Sequence, residues 1–301
     1  MPELITILGP TATGKTRLAA LLADRIGGEV ISADSRQVYR GMDLGTGKDL
    51  DDYLVERKII PYHLIDIAAP GEEYNVFRYQ GDFISVYQDI TARKRRAIMC
   101  GGTGMYLESV IRAYDMKTAP RNEKLRKELE ILTDKALIEK LESTGKLHNI
   151  TDTLDRERTI RALEIYDMQH ANLDIQGELQ ALEHKVFGVL LDRAEIRRRI
   201  TERLKRRLDE GMIEEVKGLL ESGVKARQLE FYGLEYRYLT QFVTGNISYN
   251  DMFQRLNSAI HQFAKRQMTW FRRMERQGVH IRWIDGSVPD AERLSQIMKK
   301  L

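Results

Sequence analysis

The sequence predicts an α/β fold with a parallel-sheet core and a mostly helical insertion. Short apolar runs with strand character recur along the chain, and longer segments with helical spacing follow them, which is typical of a parallel sheet. A glycine-rich turn joins the first predicted strand to the first predicted helix. A charged stretch at 119–183 interrupts this alternation, so residues 1–118 and 184–301 are predicted to form one core around a helical insertion.

The predicted strands are the apolar runs at 4–8, 29–33, 62–67, 97–100, 185–191 and 279–284. Each is short enough to be a strand and is bounded by polar or glycine-rich segments. After the fifth run, Ile196, Ile200, Leu204 and Leu208 recur every four residues, which predicts a helix with one buried face. A long helix is predicted at 250–273.

The glycine-rich turn has the spacing of a phosphate-binding loop. Its residues are Gly9, Pro10, Thr11, Ala12, Thr13, Gly14, Lys15 and Thr16. Because a strand precedes the turn and a helix follows it, the motif predicts a core like that of P-loop NTPases. Backbone N–H groups and the helix N-terminus would bind phosphate, Lys15 would reach the outer phosphates, and the Thr16 hydroxyl would ligate Mg2+. The motif predicts a diphosphate or triphosphate ligand without identifying it.

Two acidic residues follow predicted strands. Residues past the carboxyl ends of parallel strands line the ligand crevice, so Asp34, after the second strand, is expected near the phosphate loop. The alternative is that Asp34 caps a following helix. Asp66, at the end of the third strand, is the nearest match to the acid that many phosphate-loop enzymes use to hold Mg2+. The glycine-rich turn at 101–104 is either a second ligand contact or a tight packing turn.

The stretch at 119–183 predicts three helices, at 122–132, 134–142 and 155–165. Arg158 and Arg161 are three residues apart and therefore share one face of the last helix. They either bind a ligand or are ordinary surface arginines.

Net charge is uneven along the chain. Residues 184–301 carry 23 Lys and Arg against 15 Asp and Glu, whereas the whole chain has a net charge of only +3. The end of the long helix interleaves basic and aromatic residues at 265–273, a combination that suits contact with a nucleic-acid backbone and its bases. A basic C-terminal part indicates a polyanionic partner, although solvated helix faces would give the same composition.

Several classes of protein do not fit the sequence. No apolar run approaches the ~20 residues that a membrane-spanning helix needs, and the N-terminus does not read as a signal peptide. A single cysteine excludes an internal disulfide and a multi-cysteine zinc site. We expect a cytoplasmic protein that acts as a monomer.

Six sequence blocks, in this order, resemble the bacterial tRNA dimethylallyltransferase (tRNA isopentenyltransferase) family. They are GPTATGKT, SADSRQVYRGMDLGTGK, HLIDI, GGTGMYL, RTIRALEIY and KRQMTWFRR, and they extend over nearly the whole chain. The resemblance implies transfer of a dimethylallyl group from its diphosphate to N6 of adenosine 37 of tRNA, with Mg2+ as cofactor. The phosphate loop would then hold dimethylallyl diphosphate rather than hydrolyse ATP.

The resemblance also implies roles for individual residues. Asp34 matches the general base, and Lys15, Thr16 and Mg2+ would stabilise the leaving diphosphate. The positions that match tRNA contacts are Asp34, Ser35, Arg36, Gln37, Thr103, Arg158, Thr159, Ile160, Arg161, Lys265 and Arg266. Many relatives have Gly-Tyr-Arg or Gly-Tyr-Lys where this chain has Gly-Leu-Glu-Tyr-Arg at 233–237. Arg237 is the expected counterpart of their diphosphate-contacting basic residue. The run at 148–153 also departs from the family pattern.

Three other functions are compatible with parts of the sequence. An adenylate isopentenyltransferase would prenylate a free nucleotide, but it needs neither the insertion nor the basic C-terminal part. A P-loop kinase for a small metabolite would use Asp34 as its base and Asp66 to hold Mg2+. A non-catalytic RNA-binding protein would not need to retain Lys15, Thr16 and Asp34.

Overall fold

The structure is a computed structural model that describes residues 3–114, 122–144, 156–170 and 182–301. The strands are β1 (Leu4–Leu8), β2 (Gly28–Ala33), β3 (Leu54–Val55), β4 (Lys58–Ile59), β5 (Tyr62–His63), β6 (Arg96–Gly101), β7 (His184–Leu190) and β8 (Ile281–Asp285). The helices are α1 (Lys15–Ile26), α2 (Val76–Ala92), α3 (Gly104–Ile111), α4 (Glu123–Glu130), α5 (Asp134–Ser143), α6 (Arg156–His170), α7 (Arg193–Asp209), α8 (Met212–Glu221), α9 (Ala226–Leu229), α10 (Leu234–Val243), α11 (Tyr249–Arg276) and α12 (Asp290–Met298). Short 3-10 turns lie at Leu50–Tyr53 and Glu230–Tyr232.

The core is a six-stranded parallel sheet in the order β5-β2-β6-β1-β7-β8. The predicted α/β fold with a parallel sheet is therefore confirmed. All five residues of β1 are buried, as expected for a central strand that is covered on both faces. Since β1, β6 and β2 are neighbours, the loops that follow these three strands lie side by side at one edge of the sheet.

Side chains alternate between two hydrophobic clusters on opposite faces of the sheet. Leu4 and Leu8 of β1 belong to one cluster, which α2, α3, α7, α10 and α11 complete. Ile5 and Ile7 belong to the other, which α1 and α12 complete. In α7, Ile200, Leu204 and Leu208 are buried, which confirms the predicted apolar face of this helix.

The predicted strand at 62–67 is wrong in its length. Only Tyr62 and His63 pair with β2. Leu64 and Asp66 have φ values of 61° and 57°, and this left-handed backbone breaks the extended conformation. The chain then turns so that the N–H of Ala68 donates to the carbonyl of Val38 at 2.9 Å.

The chain divides into two compact units, Met1–Tyr114 with Leu179–Leu301, and Asp115–Glu178. The second unit contains α4, α5 and α6. Its helices share a small apolar core, Leu129, Leu137, Leu141, Ile160 and Leu163. The α6 helix ends at His170, five residues beyond its predicted end, while its predicted first residue, Asp155, lies outside the described residues.

A buried ion pair joins two helices of this second unit. Arg126 of α4 donates to Glu164 of α6 at 2.9 Å, and both side chains are buried. Asn122 and Thr133 cap α4 and α5 through side-chain oxygens that accept backbone N–H groups.

Among the described helices, none is long and apolar enough to cross a membrane. The departure from the family pattern at 148–153 lies outside the described residues.

Candidate active site

A cavity of about 850 Å³ lies over the carboxyl ends of β1, β2 and β6. The phosphate loop, the loop after β2 and the turn after β6 form its floor. Side chains from α7, α10 and α11 complete its lining. Every one of these elements belongs to the first unit, so two stretches that are separate in sequence, within 3–114 and 182–301, contribute to one site.

The phosphate loop has the backbone that its sequence predicts. Gly14 is left-handed, with φ 75°, and α1 begins at the next residue. The Thr13 hydroxyl donates to the carbonyl of Pro10 at 2.9 Å and braces the loop from inside. A Cβ on Gly9 would lie 3.0 Å from both the Thr13 hydroxyl and the Val189 carbonyl, so a side chain would crowd this position.

The loop residues divide into those that face the cavity and those that shape the loop. Thr11, Ala12, Gly14, Lys15 and Thr16 line the cavity. Gly9, Pro10 and Thr13 do not line it, and their part in diphosphate binding stays a prediction.

Lys15 lines the cavity at the first residue of α1. Burial lowers the pKa of its ammonium, and the negative charge of Asp34 acts in the opposite direction. A cation that has already lost much of its water is well placed to bind a phosphate oxygen.

Gln267 of α11 fixes the phosphate loop from across the cavity. Its side-chain oxygen accepts the backbone N–H of Thr11 at 2.9 Å, and its amide donates to the carbonyl of Gly102 at 2.9 Å. Gln267 is buried, and the sequence analysis did not select it within the KRQMTWFRR block. One amide therefore ties the loop after β1 to the turn after β6.

Arginines of α7 form the basic part of the cavity. Arg199, Arg203, Arg206 and Arg207 line it. Arg203 donates to the hydroxyl of Thr11 in the phosphate loop, and burial, followed by the charge of Arg207, lowers its pKa to about 10. Arg207 is buried and donates to both carboxylate oxygens of Asp49, at 2.9 and 2.8 Å. Because Arg203 is half-buried and Arg207 is buried, this part of α7 is not a wholly solvated helix face.

Asp34 lies at the same cavity as Lys15 and Arg203. One of its carboxylate oxygens accepts the backbone N–H of Arg36 at 2.9 Å, which holds the side chain in a local turn. Residues 35–38 form a turn rather than a helix, so the helix-cap alternative for Asp34 is wrong. In the described part of the chain, this is the one hydrogen bond that its side chain makes.

The residues after Asp34 are held by the turn that follows β6. The N–H of Ser35 donates to the Thr103 hydroxyl at 3.0 Å. Gln37 donates to the carbonyl of Gly47 at 3.0 Å. A Cβ on Gly101 would overlap the carbonyl of Ala33, so this turn serves both as close packing and as a wall of the cavity. Ser35, Arg36, Gln37 and Thr103 all line the cavity.

The structure corrects the expectation for Asp66. Its carboxylate pairs with the buried ammonium of Lys48, which also binds Asp43 at 2.8 Å. Asp66 is not part of the cavity lining. Asp52, which the sequence analysis did not select, lines the cavity instead, and burial, followed by the charge of Asp49, raises its pKa to about 6.

Basic residues of α10 and α11 differ in their placement. Arg237 and Arg266 line the cavity, whereas Lys265 does not. The Gly-Leu-Glu segment at the start of α10 places Glu235 in the lining as well. Burial raises the pKa of the Glu235 carboxyl, while Arg207 and Arg203 oppose this shift.

In the second unit, only part of the predicted RNA-binding set is accessible. Thr159 and Ile160 are 2% and 0% exposed and lie in the interior of the helical unit, and their contact with RNA stays a prediction. Arg158 is exposed. Arg161 is half-buried and donates to Glu164 at 3.2 Å.

These features define a P-loop-like α/β protein in which the phosphate loop, the carboxylate of Asp34 and several arginines line one cavity. A family model described as IPP transferase matches residues 37–274, and one described as isopentenyl transferase matches residues 2–62. The chain belongs to the IPP transferase family, and the resemblance that the sequence blocks predict is confirmed.

The chain is similar over its whole length to proteins named tRNA dimethylallyltransferase. It is 52% identical to tRNA dimethylallyltransferase 2 of Phocaeicola vulgatus, over 99% of this chain and 97% of the relative. It is 53% identical to tRNA dimethylallyltransferase 1 of Geotalea daltonii, over 97% of this chain and 94% of the relative.

Solved structures of similar proteins have the same fold. The tRNA isopentenylpyrophosphate transferase of Bacillus halodurans superposes with a TM-score of 0.73 at 31% identity, over 100% of this chain and 95% of the other. A eukaryotic dimethylallyltransferase acting on tRNA gives a TM-score of 0.76 at 25% identity, over 95% of this chain and 74% of the other.

Proposed function

We propose that this protein transfers a dimethylallyl group from dimethylallyl diphosphate to N6 of adenosine 37 in tRNAs that have adenosine at position 36, and releases diphosphate. The observation that carries the proposal is the shared cavity, in which Asp34 stands with the phosphate loop and the arginines of α7. Joining an allylic diphosphate to a nucleobase requires an anion site and a proton acceptor in one enclosed space.

The diphosphate would bind between the phosphate loop and α7. Backbone amides of the loop around Gly14, at the N-terminus of α1, would bind the anion. Lys15 and Arg203 would supply positive charge, since both line the cavity. Because Arg203 already contacts Thr11, we assign the diphosphate contact from the C-terminal part to Arg203 in place of Arg237.

The residues present fit Mg2+. The Thr16 hydroxyl and the Asp52 carboxylate line the same cavity, and in the described residues Asp52 has no ion pair with a basic side chain. Hydroxyl, carboxylate and phosphate oxygens are the ligands that Mg2+ prefers. When bound, Mg2+ supplies charge that stabilises the leaving diphosphate.

Asp34 would act as the general base. An adenine amino group is a weak nucleophile because its lone pair is delocalised into the ring. As N6 forms a bond with the allylic carbon, the carbon–oxygen bond to the diphosphate breaks and its electron pair leaves with the diphosphate. The N6 proton passes to Asp34, and such proton transfer accelerates reactions by about 10²- to 10⁴-fold.

The tRNA would present its target base from a single-stranded loop, where unstacking a nucleotide costs least. We assign its contacts near the cavity to Ser35, Arg36, Gln37, Thr103 and the basic residues of α10 and α11, Arg237, Lys265 and Arg266. In the helical unit, which we assign to residues 119–183, Arg158 and Arg161 would bind the backbone of the anticodon loop. One chain supplies the whole cavity, so we propose a monomer, acting in the cytoplasm with its tRNA.

The test uses purified protein, Mg2+, radiolabelled dimethylallyl diphosphate and two anticodon stem-loops, one with adenosine and one with guanosine at position 37. The proposal requires label in the adenosine stem-loop alone. Label in free AMP, with none in either RNA, would instead identify an adenylate isopentenyltransferase. Consumption of ATP with a small metabolite, and no use of the prenyl donor, would identify a kinase.

A further inference from the structure

A phenylalanine ring stands exposed in the lining of the cavity. Phe231 is 77% exposed and lies in the 3-10 turn before α10. Other groups in the lining, among them Asp34, are partly buried. A ring that is mostly open to solvent therefore belongs to the mouth of this cavity rather than to its floor.

The backbone that presents this ring is firmly held. Arg36 donates to the carbonyl of Phe231 at 3.2 Å. The next residue, Tyr232, is buried, packs edge-on against Tyr39 with ring centroids 4.6 Å apart, and accepts the N–H of Gly71. The exposure of Phe231 thus comes from how a fixed turn orients the ring, and a ring presented in this way loses little freedom when a flat ligand covers it.

The neighbours of the ring indicate the chemistry of that ligand. The Arg36 guanidinium reaches the carbonyl of Phe231, and Arg237 lines the same cavity. Arg36 also connects the ring to the reaction, since its backbone N–H binds the carboxylate of Asp34. An aromatic face with arginines beside it is suited to a nucleobase joined to phosphates.

We infer that Phe231 is a stacking platform for a nucleobase next to the target adenosine in the RNA substrate. This inference rests on the proposed function. When the target base leaves its stack to enter the cavity, its neighbour loses a stacking partner. The ring of Phe231, held at the mouth, replaces that partner and keeps the remaining bases outside while the target base is inside.

The experiment compares Phe231→Ala and Phe231→Trp with wild-type protein. It measures the affinity for the stem-loop by fluorescence anisotropy and the KM for dimethylallyl diphosphate. Loss of one base–aromatic stack is expected to weaken RNA binding about 5- to 100-fold in Phe231→Ala. Phe231→Trp should retain wild-type affinity, and the donor KM should remain within twofold in both variants. Phe77→Ala removes an exposed ring that lies outside the cavity lining and should change neither quantity.

Stem-loops that lack the base on the 5′ or the 3′ side of the target identify the stacked partner. With one of these two RNAs, Phe231→Ala and wild type should bind alike, because the partner of the ring is already gone. The inference is overturned if Phe231→Ala loses affinity relative to wild type equally with both abasic RNAs. It is also overturned if Phe231→Ala binds the intact stem-loop as tightly as wild type does. A raised donor KM with unchanged RNA affinity also overturns it, because the ring would then cover the prenyl chain. If the wild type neither binds nor labels the stem-loop, the proposed function itself fails.

Discussion

Gln267 is expected to control the geometry of the phosphate loop although it has no direct role in the chemistry. Its side chain accepts the N–H of Thr11 and donates to the carbonyl of Gly102, both at 2.9 Å, from a buried position. The Gln267→Met substitution keeps a similar volume and removes both hydrogen bonds. It leaves the half-buried N–H of Thr11 and the buried carbonyl of Gly102 without these partners.

The expected loss of stability follows from the two backbone groups that lose their hydrogen-bond partners. A buried backbone group that loses its partner costs about 1–3 kcal/mol. Partial relaxation of the loop and entry of water reduce the sum, so we expect the free energy of unfolding to fall by about 2–3 kcal/mol. The released loop would also hold its amides less accurately, and a displacement of about 1 Å can cost on the order of 100-fold in rate.

Two assays separate the effects. Urea unfolding monitored by tryptophan fluorescence gives the stability, and steady-state labelling gives kcat and the KM for dimethylallyl diphosphate. Gln267→Met should raise the donor KM and lower kcat at a urea concentration of zero, where the protein is still folded. Gln262→Met, an exposed glutamine of the same helix, is the matched control and should behave as wild type. An unchanged donor KM and kcat in Gln267→Met would refute the positioning role, whatever happens to stability.

Four further outcomes test the site and the fold. Asp34→Asn keeps the oxygen that accepts the N–H of Arg36 and should preserve donor and RNA affinity while single-turnover rates fall by about 10²-fold or more; wild-type rates would exclude Asp34 as the base. Arg203→Ala should raise the donor KM about 10- to 100-fold, whereas an unchanged KM would return the diphosphate contact to another basic residue. Reversing the charge of Arg158 and Arg161 should weaken RNA binding and flatten its salt dependence, while the KM for dimethylallyl diphosphate stays unchanged. An equal effect on RNA affinity and on the donor KM would argue against a role of these arginines in RNA binding. The hydrogen bond from Arg93, opposed in part by burial, holds the pKa of Glu29 at about 2. The free energy of unfolding of the wild type should therefore fall by about 1–3 kcal/mol as the pH drops from about 4.5 towards 2. Thermal melts should show a smaller fall over this pH range in Glu29→Gln, which has no carboxylate at this position.

Features set by neighbouring residues could be predicted from the sequence. The phosphate loop needs only a strand, a glycine spacing and a helix start, and all three occur within residues 4–26. The position of Asp34 follows from the rule that loops after parallel strands share one edge of the sheet, and it was predicted correctly at the cavity. Both cases rest on short-range geometry.

The errors came from interactions that sequence periodicity does not encode. The apolar run at 62–67 has strand composition, yet left-handed backbone at Leu64 ends the strand early. Asp66 then meets Lys48 instead of the cavity. In α6, the RTIR block matches a family motif, and Ile160 within it is buried in the helical unit, so its contact with RNA stays a prediction. A motif match identifies a position in the chain without specifying which way its side chain faces.

Contacts between distant residues explain what the sequence analysis missed. Thr11 and Gln267 are 256 positions apart, and Thr11 and Arg203 are 192 apart. No local pattern connects such residues, so the sequence analysis selected neither Arg203 in α7 nor Gln267 in α11. The fold brings both side chains to Thr11 in the phosphate loop.

The topology also implies that the diphosphate site and the base site respond to one another. Gln267 joins the phosphate loop to the turn after β6, and Thr103 in that turn joins it to Ser35, next to Asp34. The three loops follow three adjacent strands, so a displacement of one is resisted by the other two. A donor that orders the phosphate loop would therefore also hold Asp34 in place for the incoming base. This link runs through side chains that contact neither reacting atom. Loss of the Gln267 amide should therefore affect both the donor KM and the proton transfer to Asp34, whereas loss of Arg203 should affect the donor KM alone.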